Sequence, residues 1–167
     1  MKKSDAKKIV YPKTRLSELL EQPGGVDRDA AIAEATRAIE TLREDCSEAI
    51  GQSIRAIEDV LARKKQGRLP AGATREILSH ADRIVTLAGT YGLTNLDAVA
   101  RALCDLIAFL ESAGLNTAAP VAVHVQALRL VAPGAAPLPP EEIGHMLAEL
   151  AKVLAHFRAT NFHSANA

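Results

Sequence analysis

The sequence predicts an all-α, up-and-down helical bundle: a four-helix core preceded by an N-terminal arm. Three observations predict it. Apolar residues recur at alternating steps of three and four along most of the chain, no stretch alternates with period two for long enough to make a strand, and the amphipathic segments are joined by short loops with Gly and Pro. The chain has 167 residues, 48% of them hydrophobic. That suits one domain, since a chain of about 150 residues buries roughly 70% of its unfolded surface. Twenty basic and twenty acidic side chains give no net charge, which argues against a nucleic-acid-binding module. With no Trp, two Tyr and three Phe, an aromatic platform for bases or sugars is not expected either.

Residues 1–26 read as the arm. It is basic at Lys2, Lys3, Lys7 and Lys8, passes Tyr11-Pro12, and stops at Pro23-Gly24-Gly25. Two accounts of it stand: a flexible tail, or a strip that packs on the bundle through Leu16, Leu19 and Leu20. No apolar region follows the lysines, so a secretory signal is not expected. No run approaches the 18 or so apolar residues that span a membrane, and a cytoplasmic protein is expected.

The bundle is expected over 27–159. Asp27 suits an N-cap. Behind it Ile32, Ala35, Ile39, Leu42, Cys46 and Ala49 make a helical stripe, which Ile50, Ile54, Ile57 and Leu61 continue with a small shift of phase near Gly51. Arg63, Lys64 and Lys65 suit this helix's C-terminal dipole, and Gly67 with Pro70 ends it. A second helix runs from about Thr74 to Thr90, with Gly92 as a left-handed C-cap. A third opens at Thr94-Asn95-Leu96-Asp97, which resembles a capping box, with Leu93 and Ala98 as its hydrophobic staple. Its stripe is Leu96, Val99, Leu103, Leu106 or Ile107, and Leu110, and it ends at Gly114. A fourth covers about 118–132. After the Pro-rich loop at 137–140 a fifth carries Ile143, Leu147, Leu150, Val153 or Leu154, and Phe157. Residues 160–167 are polar and expected to form a flexible tail.

Few side chains combine into recognisable chemistry. His80, His124, His145, His156 and His163 include no pair at i, i+3 or i, i+4 and no H-E-x-x-H. They read as surface histidines, and no metal or cofactor is expected. Cys46 and Cys104 fall at apolar helical positions and read as core thiols. No nucleophile elbow, phosphate loop or dinucleotide fingerprint occurs, so a turnover enzyme is not the favoured class.

The second helix is the informative one. Ile77, Ala81, Ile84, Ala88 and Tyr91 gather on one arc that must face the core, opposite Arg75, Ser79, Asp82, Arg83 and Thr86. Between these arcs Leu78, Val85 and Gly89 line up beside Asp82. A partly apolar flank next to a glycine suits a docking partner, or the chain's own arm.

The stretch Ala81-Asp82-Arg83-Ile84-Val85-Thr86-Leu87-Ala88-Gly89-Thr90-Tyr91-Gly92 resembles the motif helix of histidine-containing phosphotransfer (Hpt) domains, whose pattern is A-H-x-[IL]-K-G followed by small residues and a glycine. Gly89-Thr90-Tyr91-Gly92-Leu93, then Leu96, Ala100 and Leu103, is similar to Hpt-type proteins of alphaproteobacteria, some linked to chemotaxis. So are the long first helix, Gly24-Gly25-Val26-Asp27, and Val121-Ala122-Val123-His124-Val125. The resemblance spans about 24–158. It implies binding of a response-regulator receiver domain, with a histidine kinase as a further partner, in two-component phosphorelay or chemotaxis-type signalling.

The chain departs from the motif at its chemistry: Asp82 stands at the phosphoacceptor position, Val85 at the Lys position and Thr86 at the Gly position. His80 is the substitute acceptor, with Arg83 one turn on to offset a phosphoryl group's charge. Two residues along a helix turn His80 by roughly 160° from the usual position, so a structural role at the edge of the core arc is the competing account. The resemblance thus allows a phosphotransfer intermediate acting through His80 and Arg83. It equally allows a degenerate, non-catalytic receiver binder using Leu78, Asp82, Val85, Thr86 and Gly89. A structural adaptor whose long first helix pairs with a copy of itself is the alternative from another class.

Overall fold

The computed structural model describes residues 27–164; the arm expected at 1–26 and the side chain of His163 lie outside the described residues. The described residues form an all-α bundle of five helices: α1 (Arg28–Ala62), α2 (Ala73–Thr90), α3 (Thr94–Ser112), α4 (Ala119–Val131) and α5 (Pro140–Ser164). The described residues contain two isolated bridges and no strand. None of the described helices is long and apolar enough to cross a membrane. The chain divides into two compact units, Met1–Glu40 and Thr41–Ala167.

In the first unit, Asp27 is the N-cap the sequence predicts: its Oδ2 accepts from the backbone N–H of Asp29 at 3.1 Å and of Ala30 at 3.2 Å. Every residue from 27 to 40 is exposed, including Ile32 and Ile39 at 53% each. In the second unit 41–45 are exposed as well, and the buried side of α1 begins at Cys46 and runs through Ile50, Ser53, Ile54, Ile57, Val60 and Leu61. The first half of the predicted stripe is therefore not part of the core.

The end of α1 also differs from expectation. The helix stops at Ala62, so Arg63, Lys64 and Lys65 lie beyond its last turn. The N–H groups of Arg63 and Lys64 bond back three residues, to Val60 and Leu61, at 3.2 Å. Lys65 and Arg68 then exchange both backbone hydrogen bonds at 3.0 Å around Gln66 and Gly67, whose φ values are 51° and 75°. Two successive positive φ angles define the tight hairpin turn that Gly serves at its second position. This turn is tied to the α3–α4 connection by Leu69 N–H to the Asn116 carbonyl, 2.6 Å, and Ala118 N–H to the Gly67 carbonyl, 2.9 Å.

α3 is the central helix. It packs against α2, α4 and α5, and α4 also packs against α5. Its predicted stripe is buried throughout, with both Leu106 and Ile107 inside. Its start is a correction: Thr94 is already helical, Leu93 is the cap, and no side chain closes the N-terminus. Asp97 spends its carboxylate on Arg101 one turn on, 2.9 Å, rather than on a capping box. Gly92, φ 68°, ends α2 as expected, and Leu93 N–H reaches back to the Ala88 carbonyl at 2.8 Å, the six-to-one bond of a Schellman motif. α5 runs on through 160–164, where a tail was expected, with Thr160 Oγ1 donating to the His156 carbonyl at 3.0 Å.

His124 is the second correction. It is 0% exposed rather than on the surface, while His145 and His156 are exposed. Its Nδ1 lies 2.8 Å from the Pro120 carbonyl. A carbonyl only accepts, so Nδ1 carries the proton, which leaves Nε2 as a buried acceptor with no partner among the described residues. Desolvation by burial holds the ring below its ordinary value of 6.5, opposed by the Pro120 hydrogen bond.

Two outcomes follow. Gly92→Ala puts a side chain at a left-handed position and should cost about 1–2 kcal/mol in urea unfolding. For His124, the unfolded ring takes up a proton that the folded ring refuses. Its contribution is thus complete above pH 6.5 and declines as the pH falls through the depressed folded value. Urea melts at about pH 7.5 and about pH 5 should show a larger loss in wild type than in His124→Asn, which keeps a donor to Pro120; equal losses would refute this.

Candidate functional site

The outer flank of α2 is set by what its inner side buries. Ile77, Ala81, Ile84 and Ala88 are each 0% exposed, which fixes the rotation of the helix. Leu78 and Val85 are half-buried and pack on the edge of the core. Asp82, Thr86 and Gly89 are exposed beside them. The structure therefore brings Leu78, Asp82, Val85, Thr86 and Gly89 together as one continuous strip. A Cβ built on Gly89 meets nothing within 4 Å, so the space in front of that turn is open.

Within the strip the hydroxyl groups are turned back to the helix. Thr86 Oγ1 donates to the Asp82 carbonyl at 3.0 Å, and Thr90 Oγ1 to the Thr86 carbonyl at 2.8 Å. The Asp82 carboxylate reaches across to α3, where the Cys104 thiol donates to Oδ1 at 3.5 Å. Sequence reasoning missed this pair. Twenty-two residues separate the two side chains, and only the register of α2 against α3 brings them together. Burial first, then the nearby Asp82 charge and its hydrogen bond, push the Cys104 thiol up to about 12, with Asp105 adding and Arg101 opposing. The thiol is thus protonated at neutral pH and serves as a donor, not a nucleophile.

The substitute acceptor is placed differently. His80 is half-buried and Arg83 exposed, and neither makes a hydrogen bond or ion pair among the described residues. His80 lies toward the buried arc of Ile77, Ala81 and Ile84, outside the Leu78–Gly89 strip. Cys46 is buried as expected, and both cysteines are free thiols. Among the described residues no three His, Cys, Asp or Glu side chains cluster closely enough to hold a metal ion.

Compared with known proteins, the chain matches no family model, and no curated protein or solved structure is significantly similar to it.

The Asp82–Cys104 pair makes a direct prediction. In a Cys46→Ser background, where Cys104 is the remaining thiol, Asp82→Asn removes the carboxylate that raises it. The midpoint of its pH-dependent alkylation should fall from about 12 while staying above that of a free thiol, since burial is the larger cause. An unmoved midpoint would show that the carboxylate does not act on the thiol.

Proposed function

We propose that this chain is an Hpt-like, cytoplasmic signalling module that binds response-regulator receiver domains in a phosphorelay or chemotaxis-type pathway. It binds through the outer flank of α2 and carries no phosphoryl group on the motif position. The observation that carries this is the strip itself. Leu78 and Val85 offer apolar edges, Asp82 and Thr86 a polar centre, and Gly89 an open approach, all on the helix whose sequence resembles the Hpt motif. A shaped, partly apolar surface of this kind suits a protein partner better than a small substrate.

Group transfer has less support than binding. A phosphohistidine needs an imidazole that the partner can reach and a cation beside it. The motif position carries Asp82, an acceptor already engaged by the Cys104 thiol, and His80 lies toward the core arc. Arg83 is exposed one turn from His80, which keeps a displaced phosphotransfer site as the specific second possibility.

The experiment is a binding and phosphotransfer assay with phosphorylated receivers from the same organism. Wild type should bind a receiver and take no acid-labile label. Val85→Glu and Gly89→Arg should each weaken binding by at least about tenfold, the equivalent of about 1.4 kcal/mol. Asp82→His should bind and gain label. Label on wild type that disappears in His80→Ala would establish transfer through His80, whereas no affinity for any receiver would leave the structural adaptor.

A further inference from the structure

Four basic side chains, Arg63, Lys64, Lys65 and Arg68, crowd the turn between α1 and α2. Arg63 pairs with Glu76 at 2.6 Å. Lys64, Lys65 and Arg68 are exposed and pair with no acidic side chain among the described residues. The turn holds two of them in register: Lys65 is bridged to Arg68, and Arg68 to Thr117 of the α3–α4 connection. Residues directly opposite one another in antiparallel segments project from the same face. An ammonium, a guanidinium and a hydroxyl therefore stand side by side. Like charges directly opposite are destabilising, and backbone hydrogen bonds of 2.6 to 3.0 Å hold this pair together against that repulsion. Two cations fixed beside each other with no acid between them call for an anion.

We propose that Lys65, Arg68 and Thr117 form a binding site for the phosphate group of a small polyol phosphate. The two cations match the double charge of a phosphate monoester. The guanidinium fork donates to two of its oxygens, and the ammonium and hydroxyl donate to the rest. A carboxylate carries a single charge and leaves one cation uncompensated. The ladder borders a groove of about 370 Å³ lined by Gln66, Gly67, Arg68, Leu115, Asn116 and Thr117, a volume within the range of small-ligand sites. No acidic side chain lines it. The amides of Gln66 and Asn116 both donate and accept, which suits hydroxyl groups, and the lining holds no aromatic ring on which a base could stack.

The ladder also separates this site from a diffuse basic surface. Lys64, next in sequence, lines a different groove, between the end of α1 and α4, beside Glu58 and Arg129. A lipid surface would engage every exposed basic side chain of the turn, Lys64 included, whereas the ladder singles out Lys65 and Arg68. The turn precedes α2, and Gly89 lies roughly 24 Å along that helix at 1.5 Å per residue. Phosphate binding here is therefore independent of receiver binding on the flank of α2 and stands or falls separately from it.

Titration of the isotope-labelled full chain with glycerol phosphate, followed by amide NMR at constant ionic strength and about pH 8, where the ester is doubly charged, tests it. The amide signals of 65–68 and 116–118 should shift saturably, and glycerol should shift none of them. Lys65→Gln and Arg68→Gln should each weaken binding at least about tenfold and Thr117→Val about threefold, while Lys64→Gln should stay within about twofold of wild type. None of the four positions is buried, so circular dichroism should report unchanged helix content in each variant. The absence of a saturable shift would overturn the proposal, as would a shift that Arg68→Gln leaves intact. So would a loss in Lys64→Gln as large as that in Arg68→Gln, the mark of diffuse attraction, or binding to phosphatidylglycerol vesicles with none to the free ester.

Discussion

The apolar side of α3 has to be covered, and covering it determines how the other helices lie. Leu96, Val99, Ala100, Leu103, Leu106, Ile107 and Leu110 are at most 1% exposed, a face too wide for one neighbour to bury. Three helices, α2, α4 and α5, close over it. Full burial of a Leu or Ile is worth about 1.5–3 kcal/mol, whereas an exposed ion pair is worth about 0–1 kcal/mol. The pairs Arg63–Glu76, Arg101–Asp97 and Lys152–Glu149 each leave at least one partner more than half exposed. They trim the orientation of side chains that the core already places.

Small residues on α2 convert that constraint into the geometry of its flank. Ala81 and Ala88 are fully buried, and alanines at a helix contact permit a short interaxial distance. Close packing of α2 on α3 is what lets Asp82, exposed as it is, meet the Cys104 thiol. Rotating α2 by one residue, about 100°, would drive Asp82 into the core and lift Ile77 and Ile84 out of it. The strip from Leu78 to Gly89 is therefore displayed in one orientation by the core behind it.

Much of this was legible in the sequence, and the limits are physical. The stripes of α2 and α3 could be read residue by residue because each buries a single arc, so periodicity and burial coincide. Gly92 was legible because only the left-handed cap explains a glycine between Tyr91 and Leu93. The first turns of α1 were misread because periodicity reports that a face is apolar and not what covers it. His124 was misread because its hydrogen bond to Pro120 lies within its own helix and offsets only part of the cost of burial, and nothing in its spacing announces that burial. The hairpin at Lys65 and Arg68 and the thiol at Asp82 depend on register between distant segments, which no local pattern encodes.

Under the proposed function, the composition of the flank bears on why recognition and group transfer come apart. A transferred phosphoryl group needs a nucleophile, room for the partner, and a cation near the developing charge. Gly89 supplies room. Asp82, two turns earlier on the same strip, is a carboxylate that accepts a hydrogen bond from a thiol too basic to ionise at neutral pH, and Val85 stands where the Hpt motif has lysine. On that proposal those two side chains remove the nucleophile and the cation, while the orientation of the flank comes from Ala81, Ile84 and Ala88 on the buried side. Under the proposed function, an exchange at 82 changes the chemistry at the cost of the Cys104 hydrogen bond, while Ile77, Ala81, Ile84 and Ala88 still hold the helix in its orientation.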